Sequence, residues 1–276
     1  MKRALCIIML AMTLPLTSLA LNPSKKYKFT PKDFNLTYQE FNVSTEDRAT
    51  LKAWYFPTKN PSKLNRLVLI LHNGEGNMGD YLERVNQLVN YTSVVTFDYR
   101  GFGGSSEFEI DNVMFIYPQF QSDVKAMINF CRNQLNQQTF NLYGWGIGAG
   151  LAIGIGYHNP EITRIVADTP FLSMEDLEER FYTWSEPMEV PFAGYEKRHE
   201  PIYTLDNQPN KNLQKVKLII GSNDKLLKVD DMKKLQQKNP VVDQELSVID
   251  NLSQIDNFDV DRKAYMHLLL STFELE

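Results

Sequence analysis

The sequence of 276 residues holds only two cysteines, Cys6 and Cys131. Cys6 lies in the apolar start of the chain. Cys131 falls in the helical pattern Val124, Met127, Ile128, Cys131 and reads as a core residue, so no disulfide framework holds this fold. Histidine is scarce too, at His72, His158, His199 and His267, and chemistry that needs an imidazole has few to draw on. A stripe of Lys and Arg with interleaved aromatics is missing and the net charge is -5, which argues against a nucleic-acid partner. Beyond residue 20 no apolar run approaches the roughly 18–20 residues of a membrane-spanning helix, so no span is expected in the mature chain. Internal repeats, low-complexity tracts and Gly/Ser linkers are also lacking, which leaves one domain as the expectation.

What is present suits a packed core: 43% of residues are hydrophobic and 12% aromatic. Lys2 and Arg3 precede an apolar stretch over 4–16, and Thr17-Ser18-Leu19-Ala20 supplies small residues for cleavage. Residues 1–20 therefore read as a signal peptide, 21–276 as the mature domain, and the protein as periplasmic or secreted. Hydrophobic periodicity predicts strands over 36–43, 51–56, 67–71, 94–99, 140–145, 162–167, 216–220 and 246–249. It predicts helices over 80–89, 120–135, 147–157, 232–237 and 262–273. From residue 67 strands and helices mostly alternate. That implies an α/β fold, with an about eight-stranded and mostly parallel sheet carrying helices on both faces. Such sheets collect their chemistry at the carboxyl ends of the strands. Residues 173–212 break the alternation between the sixth and seventh strands. They hold four prolines and the aromatics Phe181, Tyr182, Trp184, Phe192, Tyr195 and Tyr203, and are a candidate lid.

The run Phe140-Asn141-Leu142-Tyr143-Gly144-Trp145-Gly146-Ile147-Gly148 has the spacing of a strand, a sharp turn and a helix start. Its glycines lack the G-x-G-x-x-G spacing of a dinucleotide loop. No cofactor is expected, and no loop has the spacing of a dedicated metal site.

Four segments together resemble the α/β-hydrolases, in particular the dienelactone-hydrolase-like and serine-aminopeptidase-like branch. Leu67 to Asn77, ending His72-Asn73-Gly74-Glu75-Gly76-Asn77, is similar to that family's oxyanion strand and loop, usually H-G-N-x-G-N. Asp98-Tyr99-Arg100-Gly101-Phe102-Gly103-Gly104-Ser105 is similar to its D-Y-R-G-x-G-x-S segment. Gly144 to Gly148 resembles the G-x-S-x-G nucleophile elbow, and Leu218 to Asp224 the strand that ends in the catalytic acid. The resemblance implies a catalytic Ser, His and Asp. Here Gly146 stands at the serine position and Asp224 at the acid. The loop 251–259, where the histidine belongs, contains none and places Asp256 there. Gly146, Asp224 and Asp256 are thus the degenerate triad positions. His72, Asn73, Gly74 and Glu75 on the loop, with Trp145 and Ile147 beside the turn, are the candidate binding residues. Ser105, Ser106 and Ser173 sit where the family keeps scaffold hydroxyls.

The expected consequence is a rebuilt, acidic pocket. Glycine relaxes a turn that a serine holds under strain on the order of 1 kcal/mol. Asp224 and Asp256 are expected to approach each other near Glu75, with their carboxylates solvated or, second, holding a cation. The chain is then expected to be a catalytically degenerate hydrolase-fold protein that binds a small-molecule or peptide-like ligand, or an envelope protein partner. The alternative is an active hydrolase of esters or peptides with a non-standard acidic site.

Overall fold

The computed structural model describes residues 21–60, 62, 66–184, 187–238, 242–252 and 256–275. The expected signal peptide, 1–20, lies outside them. The strands are β1 (Asn22–Pro23), β2 (Gln39–Ser44), β3 (Thr50–Phe56), β4 (Leu67–Leu71), β5 (Glu75–Gly76), β6 (Ser93–Phe97), β7 (Phe140–Trp145), β8 (Ile162–Asp168), β9 (Lys215–Gly221) and β10 (Asp243–Ile249). Eight of them form one sheet in the order β10-β9-β8-β7-β4-β6-β3-β2, and β1 pairs with β5 apart from it. From β10 to β6 every pairing is parallel; β3 runs antiparallel to both β6 and β2. The mostly parallel eight-stranded sheet expected from the alternation is present.

Burial explains why these segments are strands. All five residues of β4 are buried, because side chains on both faces meet helices. Leu67, Leu69 and Leu71 pack into the core beside α2 (Gln119–Asn133) and α3 (Ile147–Gly156). Val68 and Ile70 point the other way, into the core beneath α1 (Leu82–Leu88) and α8 (Arg262–Thr272). Each aliphatic side chain so buried contributes roughly 1.5–3 kcal/mol. Outside 173–212 the periodic reading missed only short or irregular pieces. Residues 36–38 precede β2 outside the strand, after a 3-10 turn at Pro31–Phe34 and a left-handed Asn35. The two-residue strands β1 and β5 are too short to show a period.

The stretch 173–212 is more ordered than its composition suggests. Ser173 caps α4 (Met174–Tyr182) by accepting from the Asp176 amide at 3.1 Å. Pro201 opens α5 (Pro201–Thr204), and α6 (Val229–Gln236) follows β9. Phe181 is buried against Phe115, and Tyr195 packs edge-on to Phe171, whereas Tyr182 and Phe192 are exposed. His199 is buried and bonded through Nδ1 to Gln121 Oε1 at 2.7 Å. Its carbonyl lies so close to α3 that a Cβ on Gly154 would stand 2.0 Å from it. The later half of the insertion is thus seated on α2 and α3. Among the described residues no helix is long and apolar enough to cross a membrane.

Candidate functional site

The turn between β7 and α3 is built by three glycines with different tasks. A Cβ on Gly144 would lie 2.3 Å from the Gly148 carbonyl oxygen, and one on Gly148 2.2 Å from that of Leu71. Both glycines let the helix start close over the sheet. Gly146 instead supplies a conformation, φ 55° and ψ -125°, that L residues adopt only under strain. Its amide donates to the Asp168 carbonyl at 2.9 Å, which holds the turn against the end of β8. The elbow's backbone is therefore kept without a side chain at its apex.

Asn73 borders that apex. A Cβ on Gly146 would stand 3.1 Å from the Asn73 Cβ, tighter than an ordinary contact. Asn73 is fixed, since its Oδ1 accepts from the Tyr81 hydroxyl at 2.6 Å and the Glu75 amide at 3.1 Å. In the resembled H-G-N-x-G-N loop this position is glycine. The pair thus carries its bulk on the loop rather than on the turn. The Gly74 amide donates to His72 Nδ1 at 3.2 Å, so that loop N–H is engaged. His72 is fully buried among Tyr81, Tyr99 and Phe102, and burial lowers its pKa to about 3. It is a neutral core imidazole.

The acidic residues are arranged differently from expectation. Asp224 and Asp256 are each held by partners of their own. Asp224 Oδ1 accepts from the Leu226 and Leu227 amides at 2.9 and 2.8 Å, and the charges beside it are Lys228 and Arg180. Asp256 caps α7 (Asn257–Val260), accepting from the Phe258 amide at 3.0 Å, and pairs with Arg84 at 2.5 Å. The Arg84 side chain is 6% exposed and lies between aromatic rings, with its guanidinium carbon 4.3 Å from the Phe258 ring centroid and 4.8 Å from that of Trp145. The positive charge beside Asp256 is the chain's own Arg84. Glu75 does face the group: burial, then Asp80 and Asp256, raise its pKa.

The third carboxylate is Asp168, at the end of β8 and 3% exposed. Its Oδ2 accepts from the Tyr265 hydroxyl at 2.6 Å, and its Oδ1 from Asn257 Nδ2 at 2.7 Å and Thr169 Oγ1 at 2.9 Å. Tyr265 in turn bonds to Tyr143 at 3.0 Å. Burial first, then the charge of Asp256, push Asp168 up to about 6 against the pull of these bonds. Two signals pointed to this network. Asp168 is the residue just after the predicted strand 162–167, and Arg84 sits three after Tyr81 and four before Leu88, on the apolar face of the predicted helix.

The remaining histidines and serines are occupied elsewhere. Burial lowers the pKa of His199 to about 4, His158 lies against the Gln208 carbonyl, and His267 is exposed on α8. The Ser105 hydroxyl donates to the Asp98 carbonyl at 2.6 Å, and that of Ser106 accepts from the Thr50 amide. Ser105, Ser106 and the helix cap Ser173 are structural hydroxyls. Among the described residues no cluster of three or more His, Cys, Asp or Glu side chains could hold a metal ion.

The fold and the turn find their likeness in known proteins. Residues 62–193, just under half of the chain, match the family described as "Serine aminopeptidase, S33". A solved esterase, Pf2001 of Pyrococcus furiosus, superposes with a TM-score of 0.69 at 21% identity, over 92% of this chain and 98% of its own. The chain has the α/β-hydrolase fold. It is 26% identical over 151 residues to the protein bem46 of Schizosaccharomyces pombe, covering 54% of this chain. It is 25% identical over 162 residues to the α/β hydrolase domain-containing protein WAV2 of Arabidopsis thaliana, covering 56%. The chain spans about half the length of these curated relatives, 49% of each.

Proposed function

We propose that this α/β-hydrolase-fold protein does not perform serine-hydrolase chemistry and acts by binding a ligand at the former catalytic face. The observation that carries the reading is Gly146, which keeps the elbow's backbone and offers no nucleophile. Three further features support it. Asp256, at the position expected for the base, is engaged by Arg84 and the Phe258 amide. Asp224 is spent on two loop amides. Glu75 puts a carboxylate beside the loop where acyl transfer needs positive potential. The order of charged, apolar and small residues over 2–20 supports a periplasmic or secreted location. The test is incubation of the purified protein with a fluorophosphonate probe and with short-chain p-nitrophenyl esters. No labelling and no turnover above buffer are expected; stoichiometric labelling would overturn the reading.

A further inference from the structure

The segment from Leu21 to Tyr27 lies on the chain as a bound peptide would. Its amides at Asn22 and Ser24 donate to the Gly74 and Gly76 carbonyls at 2.9 and 2.8 Å, which is the parallel pairing of β1 with β5. The Ser24 carbonyl accepts from the Gly103 amide at 3.0 Å. Asn77, fully buried, reaches with one Nδ2 to both the Ser24 and Lys26 carbonyls, at 3.1 and 3.0 Å. The Tyr27 hydroxyl donates to the buried Asp98 and accepts from the Gly104 amide at 2.9 Å. At the other end the Leu21 side chain is 1% exposed. A Cβ on Gly74 would stand 2.5 Å from Leu21 Cδ2 and 2.9 Å from Ile147 Cδ1, so Leu21 and Ile147 meet over Gly74.

These contacts are the parts of a peptide-recognition site: a short ladder, a side-chain amide that reads two carbonyls, an aliphatic socket and a terminal hydroxyl clamp. They come from the two loops whose sequences mark the superfamily, 72–77 and 98–105. The socket sits against Gly74 and Ile147, two of the residues that border the empty elbow. We infer that these loops form a receptor for an extended peptide that sets an aliphatic residue over Gly74, and that residues 21–27 of this chain are its resident ligand, with Leu21 stoppering the face above the elbow. The inference deepens the binding reading given above by naming the ligand class. A ligand for that face competes with Leu21, and the segment is a stopper that can be displaced.

The experiment compares the wild-type protein with Leu21→Asp, which places a carboxylate in the socket beside Glu75. Amide hydrogen exchange is read at Asn22, Ser24 and Gly103, with the β4 and β6 amides as the control for the sheet. The expected result is at least tenfold faster exchange at the three reporter amides, with the control amides unchanged. A synthetic peptide of sequence Leu-Asn-Pro-Ser-Lys-Lys-Tyr then binds the variant, restores protection at Gly103, and binds wild type at least tenfold more weakly. A scrambled peptide does neither. Unchanged exchange in the variant, absence of peptide binding to it, or equal binding to both proteins would overturn the inference. Tyr27→Phe, at the far end of the segment, gives the same reading should Leu21→Asp not fold. Fluorophosphonate labelling is measured in parallel, and it bears on the proposed function without affecting the peptide result.

Discussion

Placing a methyl group at the apex of the turn tests the central geometry directly. Gly146→Ala puts an L residue at φ 55° and ψ -125°, a conformation that costs about 1–3 kcal/mol. It also sets a Cβ 3.1 Å from the Asn73 Cβ, several tenths of an ångström inside the usual carbon contact, for a further ~1 kcal/mol. The single variant should therefore lose about 2–4 kcal/mol, the sum of these terms. The two contributions separate in a double-mutant cycle with Asn73→Gly. Backbone strain is common to both backgrounds, and the contact exists only where Asn73 is present, so the coupling energy should be about 1 kcal/mol. Urea unfolding followed by tryptophan fluorescence supplies the four free energies, with an unchanged m-value as the check that each variant unfolds the same way. For a chain of this size a loss of 1 kcal/mol lowers the melting temperature by roughly 2 °C. A neutral Gly146→Ala, or a coupling indistinguishable from zero, would refute the account of the turn.

Four further outcomes follow from the same contacts. Gly144→Ala and Gly148→Ala each drive a Cβ to within 2.2–2.3 Å of a backbone oxygen and should cost more than about 3 kcal/mol, seen as loss of soluble protein or a collapse of the urea midpoint. Asp256→Asn keeps a competent helix cap but strands the Arg84 charge among aromatic rings. It should destabilise by about 2–3 kcal/mol in urea, and Arg84→Met should cost less because no buried charge remains. Asp168 binds its proton more tightly folded, near pH 6, than unfolded, near 3.8. Stability should therefore fall as pH rises from about 4 to about 6 and level off above, by at most about 3 kcal/mol, and Asp168→Asn should abolish that step in pH-dependent melting. Gly146→Ser with Asp256→His should remain inactive towards p-nitrophenyl esters, since Asn73 crowds the new hydroxyl and the freed Arg84 charge lowers the pKa of the new imidazole.

The fold was legible because its signal is carried by burial on two faces. A run such as Leu67–Leu71 has few places to go except the middle of a covered sheet, and the alternation of such runs with helices implied parallel neighbours. The elbow was legible because Gly144 and Gly148 are demanded by close approach of backbone to backbone, which no other residue permits. The acidic site was legible only in part. The family resemblance implied that Asp224, Asp256 and Glu75 lie at one end of the sheet. It could not show that Asp224 bends back on its own loop, because an Asx-type turn depends on two local amides rather than on any long-range pattern. Asp168 was marked only by its place after a predicted strand, and its role was hidden for the opposite reason: its partners, Tyr143, Asn257 and Tyr265, come from three separate elements and converge only in the folded state. The segment 21–27 gave no signal at all, since its two-residue strand has no period and its anchors are backbone groups.

The contact between Asn73 and Gly146 also gives the history of such a site a direction. While the loop position is glycine, the apex can exchange serine for glycine and back at the cost of one codon. Once asparagine occupies the loop and is held by Tyr81 and the Glu75 amide, the return of any side chain to the apex meets a filled space. Reversal is then opposed by about 1 kcal/mol of crowding unless the loop changes too, and changing the loop gives up the asparagine's two hydrogen bonds. The contact thus biases the pair of positions toward one filled and one empty, whichever of the two carries the side chain.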